Sequence, residues 1–131
     1  MQKLVIMKTI INTLNAPAPI GPYNQAILKN RALFISGQIA IIPSSGELEM
    51  SNTSAEAHQV MKNLQAILAE AKMSFEHVVK TTILLSDMSL FAVVNEVYGS
   101  YFEKEYPARE TFAVKGLPKG VNIEISMIAM L

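Results

Sequence analysis

The feature that most constrains this fold is how few helices the sequence can form. Apolar residues recur at three- and four-residue spacing in one long segment, which indicates an amphipathic helix. That stripe consists of Ala57, Val60, Met61, Leu64, Ile67, Leu68 and Ala71. Thr53 and Glu56 fit a capping box at its start. A second stripe follows Asp87, a suitable N-cap, and Pro107 stops it; its members are Phe91, Val94, Tyr98, Tyr101 and Phe102.

The other apolar segments are short and rich in β-branched residues, as is typical of strands. They span residues 8–12, 25–29, 32–40, 78–85, 109–114 and 121–129. Asn30 marks a hairpin between the second and third, and residues 43–46 form the next turn. The order β-β-β-α-β-α-β-β predicts an α+β domain with one mixed sheet of about six strands and two helices on one face.

Two helices leave the other sheet face uncovered, and strand parity predicts its residues. In the last strand Ile123, Ile125 and Met127 share the face that suits the core, and Glu124 lies on the opposite face. The same reasoning places Phe112 in the core. It assigns to the uncovered face Phe34, Leu84, Ile128 and Met130, with Ser36, Arg109 and Glu124. A face that mixes apolar and polar residues favours an oligomer interface.

Length and composition exclude several classes of protein. The chain has 131 residues, which predicts a single domain over 1–131, with residues 1–6 as an N-terminal extension before Met7. Its net charge of zero argues against a dedicated nucleic-acid binder, because phosphate contacts need a surplus of Lys and Arg. The absence of cysteine excludes disulfides and thiolate metal sites. No apolar run approaches the ~20 residues of a membrane span, and no signal peptide is recognisable, so we expect a cytoplasmic protein.

Two charged residues are the leading candidates for chemistry. Arg109 begins a strand directly after a proline stop. It could bind a carboxylate through two charge-assisted hydrogen bonds, or simply pair with Glu105 or Glu110. Glu124 lies within an apolar strand, where a carboxylate is costly unless it is paired or functional. It could orient or deprotonate a water, or form a salt bridge at an interface.

Weaker candidates are a serine and a tyrosine near glycine and proline. Ser36 precedes Gly37, and its hydroxyl could contact a ligand or serve only the strand. Tyr23 could reach into a site or pack over an apolar edge. His58 and His77 are not spaced as a metal pair, so we expect no metal site. No phosphate-binding glycine loop or GxSxG elbow is present.

Several motifs together resemble one family. They are Ile20-Gly-Pro-Tyr-Asn-Gln-Ala26, Phe34-Ile-Ser-Gly-Gln-Ile39, Tyr106-Pro-Ala-Arg109, Leu117-Pro118 and Ile123-Glu-Ile125. In this order they resemble the Rid family of reactive intermediate deaminases, also known as YjgF or L-PSP endoribonuclease proteins. The segment 78–98 fits the same family. The resemblance extends over residues 7–131.

The resemblance implies a chorismate-mutase-like fold and a homotrimer with active sites in clefts between subunits. It implies hydrolysis of 2-imino acids, such as 2-iminobutanoate and 2-iminopropanoate, to 2-oxo acids and ammonia without a cofactor. On the matching positions, Arg109 would bind the substrate carboxylate and Glu124 would hold the attacking water. Tyr23, Ser36, Gly37 and Thr111 would line the pocket, with Tyr23 supplied by the same chain or by its neighbour.

The sequence departs from the family pattern at the rim of this site. Family members typically read Pro-Ala-Arg-Ser-Cys, and here Glu110 and Thr111 follow Arg109. Ala113 and Gly116 stand where the family usually has Glu and Arg. These changes affect substrate preference and rate more than reaction class. Two alternatives stay open, an RNA-cleaving or translation-inhibiting protein and a non-catalytic trimer that binds small carboxylates or a regulatory partner.

Overall fold

A six-stranded sheet with two helices on one face forms the frame of the molecule. The computed structural model describes residues 7–131; the extension predicted at residues 1–6 lies outside that range. The strands are β1 (Thr9–Ile11), β2 (Ala26–Lys29), β3 (Ala32–Gln38), β4 (Val78–Leu85), β5 (Ala108–Ala113) and β6 (Ile123–Met130). Their spatial order is β1-β2-β3-β6-β4-β5, with β4 and β5 parallel and the other neighbours antiparallel. The predicted fold class is confirmed.

The helices are α1 (Thr53–Glu70) and α2 (Phe91–Gly99). The predicted apolar stripe of α1 is confirmed, because Val60, Met61, Leu64, Ile67 and Leu68 are all fully buried. They pack against the inward residues of β6, whose predicted alternation also holds. Single turns of 3-10 helix at Phe75–His77, Met88–Leu90 and Pro118–Gly120 precede β4, α2 and β6. Asp87 caps the turn that leads into α2, through a 2.8 Å bond from the backbone N–H of Ser89 to its carboxylate.

The start of α1 differs from its prediction. Asn52 is the N-cap, and its side-chain oxygen accepts the backbone N–H of Ala55 at 2.8 Å. Glu56 does not close a capping box. Its buried carboxylate instead accepts the backbone N–H groups of Asn122 and Ile123, at 2.8 and 3.1 Å. The predicted box is therefore wrong, because a tertiary contact with β6 outcompetes the local one.

The hairpin between β2 and β3 turns on Asn30 and Arg31, as the sequence predicts. Both residues have positive φ, 50° and 71°. Two consecutive residues with positive φ make a type I′ turn, whose twist matches that of antiparallel strands. Asparagine adopts positive φ more readily than most residues with a side chain, so Asn30 indicates where the hairpin turns.

The side of the sheet predicted for Arg109 is wrong. In the parallel register Arg109 lies opposite Thr81, whose side chain is buried beneath α2, so both face the helices. Phe112 lies opposite Leu84 on the outer face, the sheet face without helices, and is 54% exposed. Within β5, parity correctly groups the residues that share a side of the strand. It does not say which side is covered, and the edge strand β5 carries apolar residues on both.

Candidate active site

Glu124 lies on the outer face, directly above a glycine of the neighbouring strand. A β-carbon at position 37 would come within 2.8–2.9 Å of the Cδ, Cγ and Oε2 atoms of Glu124. Only glycine leaves room for this carboxylate where it lies. Burial raises the pKa of Glu124 above its ordinary value. Among residues 7–131 no charged neighbour offsets that effect, so this carboxylate takes up a proton more readily than an exposed glutamate.

A bulge in β3 produces this close approach. β3 pairs Ile35 with Met127 and then Gln38 with Ile125, so it has one residue more than β6 between these pairs. The extra residue lets Gly37 lie beneath Glu124 while Gln38 turns inward, where it is buried. Bulges of this kind re-aim side chains next to functional sites.

The Glu124 cleft is the small depression around this carboxylate. Most of the residues that line it are apolar, and Tyr23 is among them. The further lining residues include Pro17, Ile20, Gly37, Ile39, Ile41 and Pro118. Tyr23 is 45% exposed, and its hydroxyl oxygen accepts the backbone N–H of Ile20 at 3.3 Å. One chain therefore brings together Tyr23, Gly37 and Glu124.

Hydrogen bonds fasten the loop that carries Tyr23 to the sheet. The buried amide of Gln25 donates to the carbonyls of Thr13 and Pro17, both at 2.9 Å, and accepts the N–H of Thr13 at 2.8 Å. The Ser36 hydroxyl donates to the carbonyl of Asn24 at 2.6 Å. Ser36 thus holds the loop and is not among the residues that line the cleft.

Sequence reasoning missed the two glutamines of this region. Gln25 and Gln38 both line the Glu124 cleft, and both are almost fully buried. The available signal was their position inside two of the recognised motifs. A buried amide needs partners for its donors and acceptor, so such a glutamine indicates a fixed loop nearby.

The Arg109 cleft lies on the helix-covered side, at the sheet edge formed by β5. The guanidinium carbon is 5.1 Å from the ring centre of Tyr98 and 5.6 Å from that of Phe91. Further lining residues are Asn95, Glu96, Gly99, Tyr106 and Pro107. Thr111 follows on the same side of β5, opposite Ile83. Its buried hydroxyl has no hydrogen-bond partner among residues 7–131.

The predicted alternative, an Arg109 ion pair with Glu105 or Glu110, is wrong. Among the residues described, the one ion pair joins Lys80 to Glu110 at 3.0 Å. Glu110 also accepts a hydrogen bond from the hydroxyl of Thr82. These two partners hold the pKa of the Glu110 carboxyl below its usual value. Among residues 7–131 the Arg109 guanidinium therefore makes no ion pair.

One chain does not bring Arg109 and Glu124 together. Glu124 is paired with Leu84, and Leu84 with Phe112, which lies three residues beyond Arg109. Strand spacing and rise then put the two α-carbons about 14 Å apart. The two side chains also project from opposite faces of the sheet. Each cleft therefore holds one of the two charged groups.

Both histidines have structural partners. His58 Nδ1 lies 2.9 Å from the hydroxyl of Tyr101, and His77 Nδ1 accepts the backbone N–H of Ser74 at 3.0 Å. Among residues 7–131, no three His, Asp or Glu side chains are grouped closely enough to hold a metal ion. In the same range, none of the helices has the length and apolar character needed to span a bilayer.

The fold and the two clefts define a small α+β protein that carries a glutamate in one cleft and an arginine in another, on opposite faces of its sheet. The model of the endoribonuclease L-PSP family matches residues 13–131. The chain belongs to this family, which is the Rid family that its motifs resemble.

Individual relatives match over nearly the whole chain. The Homo sapiens protein named 2-iminobutanoate/2-iminopropanoate deaminase is 46% identical over 95% of this chain and 91% of its own length. The Rid-family protein YyfA of Yersinia pestis is 42% identical with a TM-score of 0.93, covering 95% of this chain and all of its own. TdcF of E. coli, solved with bound serine, is 36% identical with a TM-score of 0.90, covering 94% and 98%.

Proposed function

We propose that this chain is a 2-iminobutanoate/2-iminopropanoate deaminase, which hydrolyses reactive imine intermediates to 2-oxo acids and ammonia. The names of its mammalian relatives support this reaction, at 45–48% identity over 95% of the chain. The observation that carries the proposal is a guanidinium with no ion pair among residues 7–131 in one cleft and, in the other, a partly buried carboxylate whose pKa is raised. A 2-imino acid needs both groups, one for its carboxylate and one for water.

Arg109 is the proposed binding group for the substrate carboxylate. Its planar fork matches a carboxylate with two parallel hydrogen bonds. Fixing the carboxylate sets the position of the C=N carbon, because that carbon is bonded directly to the carboxylate carbon. Proximity and orientation of this kind supply a large part of the rate enhancement in a reaction with water.

Glu124 is the proposed general base. A protonated imine is already electrophilic, so water attacks C2 while the carboxylate of Glu124 removes one of its protons. Glu124 returns this proton to the nitrogen of the resulting carbinolamine. The C–N bond then breaks as the C=O bond forms, and the departing ammonia takes up the hydroxyl proton through Glu124. The balance is one protonated imine plus one water giving one 2-oxo acid plus one ammonium ion. The raised pKa of Glu124 favours this uptake and return of a proton.

We propose that a complete site forms between two copies of the chain. Arg109 and Glu124 lie on opposite faces of one sheet, so a neighbour must bring its own charged group to each cleft. The outer face offers a surface for that neighbour, because Phe34, Phe112 and Met130 are 49%, 54% and 47% exposed there. Exposed apolar patches of this kind are typical of interaction surfaces. A homotrimer provides three equivalent sites.

The remaining pocket residues have supporting roles in the proposal. Tyr23 and Gly37 shape the Glu124 cleft, and the glycine leaves room for the carboxylate. Thr111 lies two residues from Arg109 on the same side of β5, and its buried hydroxyl, without a hydrogen-bond partner among residues 7–131, is the group proposed to meet the substrate from that side. Ser36 acts indirectly, by fastening the loop that carries Tyr23.

The test couples the purified protein to a serine or threonine dehydratase and follows imine loss with semicarbazide as competitor. We expect the wild-type protein to accelerate imine loss, and Arg109→Ala and Glu124→Gln to abolish most of the acceleration. Light scattering should give a mass of three times 14.4 kDa. A wild-type protein without acceleration would overturn the proposed reaction, and a monomeric mass would overturn the shared site.

The alternatives have their own outcomes in these experiments. The family description supports RNA cleavage, although the chain has zero net charge and nucleic-acid affinity depends on excess Lys and Arg. Cleavage of RNA by highly purified trimer, lost in Glu124→Ala, would favour that activity. Binding of 2-oxobutanoate without turnover would favour a non-catalytic trimer. The cytoplasmic location stays a prediction.

A further inference from the structure

We propose that Tyr98 and Phe91 are positioning residues that hold the Arg109 guanidinium in the orientation in which it binds a carboxylate. The inference rests on the proposed function of Arg109 as the carboxylate-binding group. It adds two residues of α2 to the site, neither of which need touch the substrate. What carries it is the contact of one guanidinium with two aromatic rings, without an ion pair to any acid among residues 7–131.

The two rings come from one side of one helix. Phe91 and Tyr98 are seven residues apart, which places them two turns apart on the same face of α2. Their ring centres lie 5.6 and 5.1 Å from the guanidinium carbon of Arg109. Both distances are within the ~6 Å at which an aromatic face attracts a cation. The rings thus restrict a long, flexible side chain at the edge of the sheet.

The Tyr98 ring is itself fixed relative to the backbone of Arg109. Its hydroxyl donates to the Thr81 hydroxyl at 2.9 Å, and Thr81 lies directly opposite Arg109 in the register of β4 and β5. Thr81 and Tyr98 are 0% and 4% exposed, so this bond is shielded from water. The ring of Phe102 packs against Tyr98 from another side, 4.9 Å between centres. The support is therefore rigid.

Aromatic support has a chemical advantage over an acidic partner. A glutamate paired with Arg109 would occupy the same N–H donors that a substrate carboxylate needs. Ring faces attract the cation without accepting those hydrogen bonds. The guanidinium is thus held in place with its donors free, and no ion pair has to be broken when a ligand binds.

The test measures binding of 2-oxobutanoate, an unreactive product, by titration calorimetry. We expect Tyr98→Leu and Phe91→Leu each to weaken binding about five- to tenfold, since both remove a ring from the cation. Tyr98→Phe keeps the ring and should bind within about twofold of wild type. In the deaminase assay the leucine variants should raise KM more than they lower kcat. The NMR signal of the Arg109 Nε–H, shifted by the rings in wild type, should move in both leucine variants.

Val97→Ala is the matched control for lost packing. Val97 is buried on the same helix, and its side chain provides no ring to Arg109. This variant should lose thermal stability comparable to the leucine variants but keep the affinity and the Arg109 signal of wild type. The inference is overturned if Tyr98→Leu and Phe91→Leu bind as wild type, or if Val97→Ala weakens binding as much. Wild-type binding without any imine hydrolysis would instead overturn the proposed reaction and leave this assignment standing.

Discussion

The Glu124 cleft and the Arg109 cleft lie on opposite faces of one sheet and are built by different means. The first depends on backbone: a bulge, a glycine beneath the carboxylate and a loop held by hydrogen bonds from Gln25 and Ser36. The second depends on side chains, with two aromatic rings of α2 beneath a guanidinium.

In the proposed reaction, the difference follows from the role of each charged group. Partial burial without a cationic partner disfavours the ionised form of Glu124, and a base that exchanges protons benefits from that. Arg109 only has to stay charged and keep its donors free. Ring faces stabilise the cation without neutralising it. The surroundings therefore disfavour the negative charge of Glu124 and stabilise the positive charge of Arg109, in two clefts that a single chain keeps apart.

Removing Arg109 or Glu124 should have the largest effect on kcat/KM, and mixing the two variants should restore part of it. Arg109→Ala and Glu124→Gln should each lower kcat/KM by about a thousandfold, because each removes a group that acts on the transition state. When the two variants are unfolded together and refolded as mixed trimers, activity should return to about one quarter of wild type, since that fraction of shared sites receives both intact residues. The separately refolded variants are the controls. No recovery on mixing would show that each site lies within one chain.

Removing the space above Gly37 should damage only the Glu124 cleft. Gly37→Ala places a β-carbon within 2.8–2.9 Å of the Glu124 side chain, whose flexible end must move. We expect kcat to fall about tenfold to a hundredfold, with little change in melting temperature. Gly116→Ala is the matched control, because a β-carbon there meets nothing within 4 Å. An unchanged kcat in Gly37→Ala would contradict the role of the Glu124 position.

The pH dependence should also separate the two clefts. Because the pKa of Glu124 is raised above 4.5 by burial, kcat/KM should fall on the acid side at a pH above that value. The free energy of unfolding changes in the opposite direction. The protonated form of Glu124 is favoured in the folded state, so its contribution to stability is present below pH 4.5 and is lost as pH rises through the raised pKa. Relative to Glu124→Gln, wild type should lose stability over that window. Denaturant unfolding at several pH values measures this, and a parallel pair of curves would contradict it.

The smallest effect is expected for Ser36. Ser36→Ala removes one hydrogen bond to the carbonyl of Asn24, which is worth about 1 kcal/mol of unfolding free energy. Because the loop stays tied by Gln25, activity should fall no more than about threefold. A much larger loss of kcat/KM at unchanged stability would mean that the Ser36 hydroxyl contacts substrate, as the family resemblance implies.

Regular repeats made much of the fold predictable. The stripe of α1 and the alternation of β6 are long, and each period admits one kind of element. Asn30 indicates its turn through its tolerance of positive φ. Glu56 was not predictable in this way. Its partners at the start of β6 lie 66 and 67 residues away, and no local pattern reports such a contact.

The structure brings some of the predicted site residues together and separates others, and their roles stay predictions. The motifs singled out Tyr23, Gly37 and Glu124, and the structure places these three at one cleft. Arg109 was assigned to the same face because Phe112 was taken as a core residue. In an edge strand an apolar residue can face a second subunit as well as the core, so parity alone could not decide.

The position of β6 in the middle of the sheet bears on how the protein is made. β6 lies between β3 and β4 and pairs with both of them, and it is the last of the strands along the chain. During synthesis the two halves of the sheet have no shared edge until β6 has left the ribosome. Folding must then wait for long-range contacts, which are slow to form and expose apolar strands meanwhile. A ribosome that stalls before β6 would hold two unjoined half-sheets, a substrate for chaperones.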